Sequence, residues 1–300
     1  MSEKLKLAII GLDTSHAVEF PKLIQDPATP PERRIEGLQV TRCLRFSTPF
    51  QSEEGLNQRQ AYLESIGVEV TTDFDYAVGD CDVISININD PAFHLEYFEK
   101  CAKLGKRIFL DKPVADNLEN TVKIFEIAKE NNVEFCSASS LRFDVDFLEG
   151  CERNPNVSSL HVWGPVGRAA AGSSIIWYGV HAFEMLQRGM GRGAATVTVS
   201  TDRNGYLCHV IYKDGRRGIV ELTRNNYEYG AVFRNNSGFA DKIDVTRRIP
   251  YYRQQLLAVL EFFKTGKEPN TLEDTFEVMA MLDAADRSAV TGRPEVVYTK

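Results

Sequence analysis

The first place where this chain could do chemistry follows its first apolar run. Leu5 to Ile10 is apolar except for Lys6 and ends at Gly11; the next residues read Leu12-Asp13-Thr14-Ser15-His16 before a helical stretch. A buried strand, a glycine turn and a helix N-terminus gather free backbone N–H groups around one point, as in the loops that hold a dinucleotide's pyrophosphate. The full fingerprint places glycines at G-x-G-x-x-G so that backbone can approach the phosphates. Here only Gly11 is present: Asp13 takes the second glycine position and His16 the third. A carboxylate at Asp13 can cap the helix by accepting the N–H of Ser15 or His16, which removes donors from a phosphate. It also repels one: at about 4 Å the cost is roughly 1 kcal/mol in water and about 4 at an effective dielectric of 20, so roughly ten- to several-hundredfold weaker binding. An ordinary helix cap is the expected role of Asp13 under any function. His16 has two readings, a phosphate contact when protonated or a ring packed against the strand. Pro21 falls within the following helical stretch, where its ring is tolerated only in the first turn, so that helix is expected to start late or bend.

The elements that position this loop alternate. Strand-like runs at residues 38–46, 68–70, 81–88, 107–110 and 133–137 are separated by helical runs at 17–25, 58–66, 93–104 and 118–131. Such alternation over about 140 residues means βαβ crossovers and a parallel sheet covered on both faces. After residue 140 the rhythm changes. Runs at 158–163, 196–201, 206–213, 218–223, 231–234 and 243–246 follow one another with β character, and Asp214-Gly215 marks a hairpin. Helices at 251–264 and 272–291, the second ended by Gly292, close the chain. The reading is an α/β Rossmann domain over residues 1–140, followed over 141–300 by an α+β domain with an open, mainly antiparallel sheet and one or two helices.

Composition narrows the partners. The net charge of −7 and the lack of a basic cluster beyond Arg247-Arg248 argue against nucleic acid. No apolar run approaches the roughly 20 residues that span a bilayer, and the N-terminal residues lack the apolar stretch of a signal peptide, so a cytoplasmic location is expected. The six cysteines are scattered without CxxC spacing and read as reduced thiols packed like small hydrophobes.

Three further stretches carry a resemblance. Phe109-Leu110-Asp111-Lys112-Pro113 is similar to an E-K-P motif at a strand end, Gly179-Val180-His181-Ala182-Phe183-Glu184 to a G-x-H-x-x-D helix start, and residues 284–293 to a closing helix and turn. In this order and spacing they resemble the glucose–fructose oxidoreductase and inositol dehydrogenase (Gfo/Idh/MocA) family, over nearly the whole chain. The stretch from Val83 through Asn89 and His94 to Lys112 also spaces like that family's fourth and fifth strands. The resemblance implies hydride transfer between NAD or NADP and a hydroxyl-bearing carbon of a carbohydrate-like small molecule. It implies His181 as the base and Lys112 as the cation that positions the substrate oxygen, both serving one cleft. The cofactor would lie against Gly11, Leu12, Asp13, Thr14, Ser15, His16, Asn89 and His94. A homo-oligomer, dimer or tetramer, formed through the open sheet is implied as well.

The chain also departs from that family's pattern. The second strand ends Leu44-Arg45-Phe46-Ser47-Thr48, where an Asp or Glu would bind the adenosine ribose of NAD. Arg45 with hydroxyl neighbours could hold the 2′-phosphate of NADP instead, or be a solvated loop residue. Trp177 stands where the family carries an Asp four residues before the His; an indole takes no proton but can stack on a sugar face or close a pocket. Tyr178, Glu184 and Arg142 are then the expected polar contacts to substrate. On the residues alone, Lys112 reads as a surface residue at a turn and His181 as structural. A cofactor-free binding or regulatory protein, and a lyase or isomerase using His181 as acid–base, are the competing classes. A metal site on His181 and Glu184 lacks a third ligand, and none is expected.

Overall fold

Residues 4–236 and 238–299 are described by a computed structural model; residues 1–3, the start of the N-terminal stretch weighed above for a signal peptide, lie outside it with Ser237 and Lys300. Apolar β runs separated by amphipathic helices build the first unit. In order they are β1 (Leu5–Ile10), α1 (His16–Gln25), β2 (Leu38–Leu44), α2 (Glu53–Ser65), β3 (Glu69–Thr71), α3 (Phe74–Val78), β4 (Val83–Ile86), α4 (His94–Ala102), β5 (Ile108–Leu110), α5 (Leu118–Glu130) and β6 (Phe135–Cys136). All five pairings are parallel, in the order β3-β2-β1-β4-β5-β6. The order reverses direction between β1 and β4, and such a switch point opens a crevice at the carboxyl ends of the strands.

One further helix belongs to this unit although it comes late in the chain. Residues 252–270 cluster with residues 1–137, and α8 (Tyr251–Thr265) supplies Leu256, Val259, Leu260, Phe262 and Phe263 to a core shared with Leu7, Ile9, Phe20, Ile24 and Val40. Elsewhere in the unit, Phe98 of α4 and Phe125 of α5 meet Phe135 edge-on, with centroids 5.0 and 5.3 Å apart.

The second unit holds residues 138–251 and 271–300. Its elements are α6 (Val145–Arg153), β7 (Ser159–Pro165), α7 (Ser174–Met190), β8 (Ala194–Asp202), β9 (Gly205–Tyr212), β10 (Arg217–Thr223), β11 (Gly230–Arg234), β12 (Ala240–Asp244), α9 (Leu272–Thr291) and β13 (Glu295–Val296). The strands form one sheet in the order β12-β11-β7-β10-β9-β8-β13, antiparallel except for β7 beside β10. Alternation decides its faces: Cys208, Val210 and Tyr212 of β9 are buried, whereas Leu207 and Ile211, on the opposite parity, are 47% and 37% exposed. Gly292 ends α9 in the left-handed region at φ +66°, as a glycine C-cap does.

Several elements differ from expectation. Pro21 neither delays nor ends α1; the helix starts at His16 and carries Pro21 in its second turn. Ser52 caps α2 by accepting the Gly55 N–H at 3.1 Å, which starts that helix before residue 58. The five-residue α3 and the two-residue β13 are too short to carry a periodicity, and the nine-residue α6, amphipathic as it is, is a further helix that the sequence reading does not contain. Helix α7 begins at Ser174, under a cap from Ser173 to the Ile176 N–H at 3.3 Å. Gly179 is therefore inside the helix, and His181 lies in its middle and not at its start. Among the described residues, no helix is long and apolar enough to cross a membrane. All six cysteines are free, and all but Cys151 are buried.

Candidate functional site

Gly11 turns the chain out of β1 at φ +102°, and a Cβ there would stand 2.5 Å from the Asn87 carbonyl oxygen. Only glycine fits both the torsion and the approach to β4. Leu12, Asp13, Thr14 and His16 are buried, and Ser15 is exposed. The Asp13 carboxylate does not cap α1, as the sequence suggested; Ser15 holds the cap position without a side-chain bond. Instead Asp13 Oδ1 accepts the Asn89 N–H at 2.8 Å and Oδ2 accepts the Thr48 hydroxyl at 2.6 Å. Asp13 thus ties together the loops that follow β1, β2 and β4. Burial raises its proton affinity, against the hydrogen bonds from Thr48 and the backbone. Arg59 of α2, absent from the candidates above, donates to the Leu12 carbonyl at 2.9 Å. Burial lowers its pKa and the Asp13 charge opposes that shift, so it is the cation beside this carboxylate.

His16 takes neither a solvent-facing nor a merely apolar place. Its Nδ1 lies 2.7 Å from Asp111 Oδ2, with both residues buried. The ring stacks on Phe20 at 5.3 Å and meets Tyr252 edge-on at 4.9 Å. Burial alone would raise the Asp111 pKa, but the charges of His16 and Lys112 and their hydrogen bonds prevail and hold it at about 2. The next residue, Lys112, is only 8% exposed, so it is not the surface residue its place before Pro113 suggests. Its backbone N–H donates to Asp111 Oδ1 at 2.8 Å, while its ammonium has no hydrogen bond or ion pair among the described residues. His94 is fully buried, with its ring nitrogens 2.8 Å from the Ile88 carbonyl and 3.1 Å from that of Val114. It fastens the loops after β4 and β5 to one another, which excludes it from direct contact with a ligand. Arg45 is not a solvated residue: it donates to Gln60 at 2.6 Å and Glu53 at 2.7 Å, so its charge is already balanced.

A dinucleotide fits this crevice on two counts. The Gly11 turn is a cradle that any Cβ would fill. At the end of β4 the buried Asn87 side chain accepts the Ser85 hydroxyl at 2.5 Å yet leaves its Nδ2 without a partner, a costly state for a buried donor.

In the second unit His181 is buried, and its Nδ1 lies 2.6 Å from the Ser139 hydroxyl, which also accepts the Leu141 N–H at 3.1 Å. Ser139 was not singled out from the sequence; its only signal is its place just after β6. Tyr178 and Tyr229 present their rings edge-on to His181 at 5.0 and 6.0 Å. Burial raises the proton affinity of the Tyr178 phenolate. Arg142 and Glu184, expected as open polar contacts, are committed to each other at 2.9 Å in a buried pair. Arg142 also donates to Gln187 at 2.7 Å, and Gln187 to Asp274 at 2.8 Å. Burial raises the Glu184 pKa against the Arg142 charge. This network fastens α7 to the 140–143 turn and to α9, and it also removes Glu184 from any metal site with His181. Asp286 of α9 takes the Ser173 hydroxyl that caps α7. A cavity of about 650 Å³ opens beside the first turn of α7, lined by Trp177, Tyr178, Tyr206, Tyr227 and the ends of β7 and β10. Tyr178 thus borders both the cavity and His181.

Comparison with known proteins adds the following. Residues 51–139 match the model of the GFO_IDH_MocA oxidoreductase family, described as an NAD-binding Rossmann fold; the match begins beyond the altered phosphate loop. A protein named an uncharacterized oxidoreductase of Streptococcus pneumoniae serotype 4 is 24% identical over 164 residues, 47% of this chain and 43% of that protein, so the match spans less than half of that relative's length. Among solved structures, myo-inositol dehydrogenase from Lactobacillus casei with NAD(H) and myo-inositol is similar at TM-score 0.81 and 13% identity, covering 99% of this chain and 98% of that one. GenD2 from gentamicin A biosynthesis, in complex with NAD, is similar at TM-score 0.80 and 16% identity, covering 100% and 98%. At these identities the structures speak for the fold. The sequence match to the GFO_IDH_MocA oxidoreductase family holds over residues 51–139, and the likeness in fold to these two solved structures extends over nearly the whole chain.

Proposed function

We propose that this protein is a nicotinamide-dependent oxidoreductase acting on a hydroxyl group of a small polyol or sugar-like molecule. The observation that carries the reading is the Lys112 ammonium, held on a nearly buried residue at the carboxyl end of β5 with no partner among the described residues. An ammonium beside the Asp111 charge but without a hydrogen bond of its own keeps its donors available, and a substrate oxygen would take one in a charge-assisted hydrogen bond. A bound nicotinamide would accept or return the hydride. His181 takes the hydroxyl proton: with Nδ1–H donating to Ser139 Oγ, the basic lone pair sits on Nε2. Gly11, Asn87 and the first turn of α1 would hold the dinucleotide, and Trp177 and Tyr178 would bound the substrate. Because Glu53 and Gln60 occupy Arg45, the reading favours NAD(H) over NADP(H). The apolar open face around Leu207 and Ile211 would meet a second copy of the chain; a monomer by light scattering removes that part.

One observation favours a second reading, a binding protein without hydride chemistry. The phosphate loop carries the buried Asp13 carboxylate with partners of its own. Titration with NADH and NADPH, followed by nucleotide fluorescence, separates the two. Saturable binding below about 1 mM, a modest affinity of roughly −4 kcal/mol, supports the oxidoreductase. Absence of binding to either supports the second reading, and Asp13→Gly then recovers affinity if charge is the cause. In the oxidoreductase, His181→Ala abolishes turnover and leaves NADH affinity nearly unchanged; undiminished turnover removes His181 from the mechanism.

A further inference from the structure

The cavity in the second unit has a charge that the rest of the chain does not prepare for. The protein carries a net charge of −7, yet the residues lining this cavity include Arg168 and Arg224 and no Asp or Glu. Strands β7 and β10 run parallel in register, with Pro165 opposite Thr223. The segments leaving their carboxyl ends therefore emerge side by side, one bringing Arg168 and the other Arg224. Arg168 has no hydrogen bond or ion pair among the described residues. Arg224 donates through Nη1 to the carbonyls of Asp202 and Arg203 at 3.2 and 3.3 Å, and its guanidinium lies 5.4 Å from the Tyr206 ring centroid. Two carbonyls and an aromatic face orient that guanidinium but leave its charge unbalanced and most of its five donors available. The same cavity is lined by the aromatic pair Trp177 and Tyr178, tilted at 50° with centroids 5.1 Å apart.

We propose that this cavity takes a hydroxylated ring bearing an anionic group, a carboxylate or a phosphate, with the ring against Trp177 and Tyr178 and the anion on Arg168 and Arg224. The physical basis is complementarity. Guanidinium forks pair with planar or tetrahedral oxyanions through charge-assisted hydrogen bonds, whereas an uncharged polyol leaves both cations without a counter-charge. The inference rests on the oxidoreductase reading for the hydroxyl that reacts beside Tyr178 and His181, but anion binding itself does not require turnover.

The test is therefore made first without nucleotide. Binding of glucuronate, glucose 6-phosphate and uncharged myo-inositol to the full chain is followed by tryptophan fluorescence and calorimetry. The expected result is that at least one anionic probe binds about tenfold or more tightly than myo-inositol, the scale of one charge-assisted hydrogen bond. Preference for glucuronate identifies a carboxylate, and preference for glucose 6-phosphate a phosphate. The advantage should fade at about 1 M salt, where the screening length is roughly 3 Å. The R168Q/R224Q variant, altered only at exposed positions, should lose the advantage and keep its affinity for myo-inositol. Binding of myo-inositol as tight as that of both anions, no binding of either anion, or an advantage that survives R168Q/R224Q overturns the inference. Turnover of an uncharged polyol without anion preference sinks this inference alone. Anion binding in a chain that never oxidises anything with NADH or NADPH present sinks the oxidoreductase reading and leaves the cavity assignment standing.

Discussion

Asp111→Asn tests whether His16 is anchored by a carboxylate and is not a phosphate ligand. The substitution keeps shape and an acceptor oxygen but removes the negative charge between His16 and Lys112. Asp111 has its pKa lowered from 3.8 to about 2 in the fold. At 1.36 kcal/mol per unit that shift is worth about 2 kcal/mol. The sign follows from which state binds the proton. Between these two values the unfolded chain holds it more tightly, so the contribution is complete above the unfolded pKa and is lost as pH falls through about 2. Urea unfolding of parent and variant should therefore differ by about 2 kcal/mol at pH 7, by nearly as much at pH 4, and by progressively less below. A double-mutant cycle with His16→Gln assigns the share that belongs to the pair. Equal stability of parent and variant at pH 7, or a gap that does not shrink in acid, would refute the anchoring argument.

Two further perturbations bear on the site. Glu184→Gln leaves the buried Arg142 guanidinium with only the more distant Asp274 carboxylate, at 3.7 Å; breaking a fully uncompensated pair costs about 3 kcal/mol, so a loss of up to that size is expected, read as a lower urea midpoint with NADH affinity unchanged. Gly11→Ala forces a Cβ to within 2.5 Å of the Asn87 oxygen at φ +102°; about 2 kcal/mol or more of stability and most nucleotide affinity should be lost, and a variant that binds NADH like the parent would show that the turn does not hold the dinucleotide.

Much of this protein was legible in its residues because the signals are local. The β-branched run around Val83 to Ile86, the hairpin at Asp214-Gly215 and the glycine ending α9 specify their own conformations. Their alternation in the first half fixes a parallel sheet, since helices between strands leave no other economical connection. The loop from Gly11 to His16 and the pair Lys112 and His181 were visible as residue types at strand ends and on a helix. What each does was not. Asp13 looked like a cap until folding brought Thr48 and Asn89 to it, and His16 found Asp111 across 95 residues. Arg142 and Glu184 looked like open contacts and proved to be each other's partner, while Arg59 gave no signal and Ser139 none beyond its place after β6. Likewise, the amphipathic pattern of α8 shows that it covers an apolar surface, but only the tertiary structure shows that the surface belongs to the first unit. The reason is one of range: torsional preference and hydrophobic period are properties of neighbours in the chain, whereas a buried charge or hydroxyl is satisfied by whatever the packed topology places within about 3 Å.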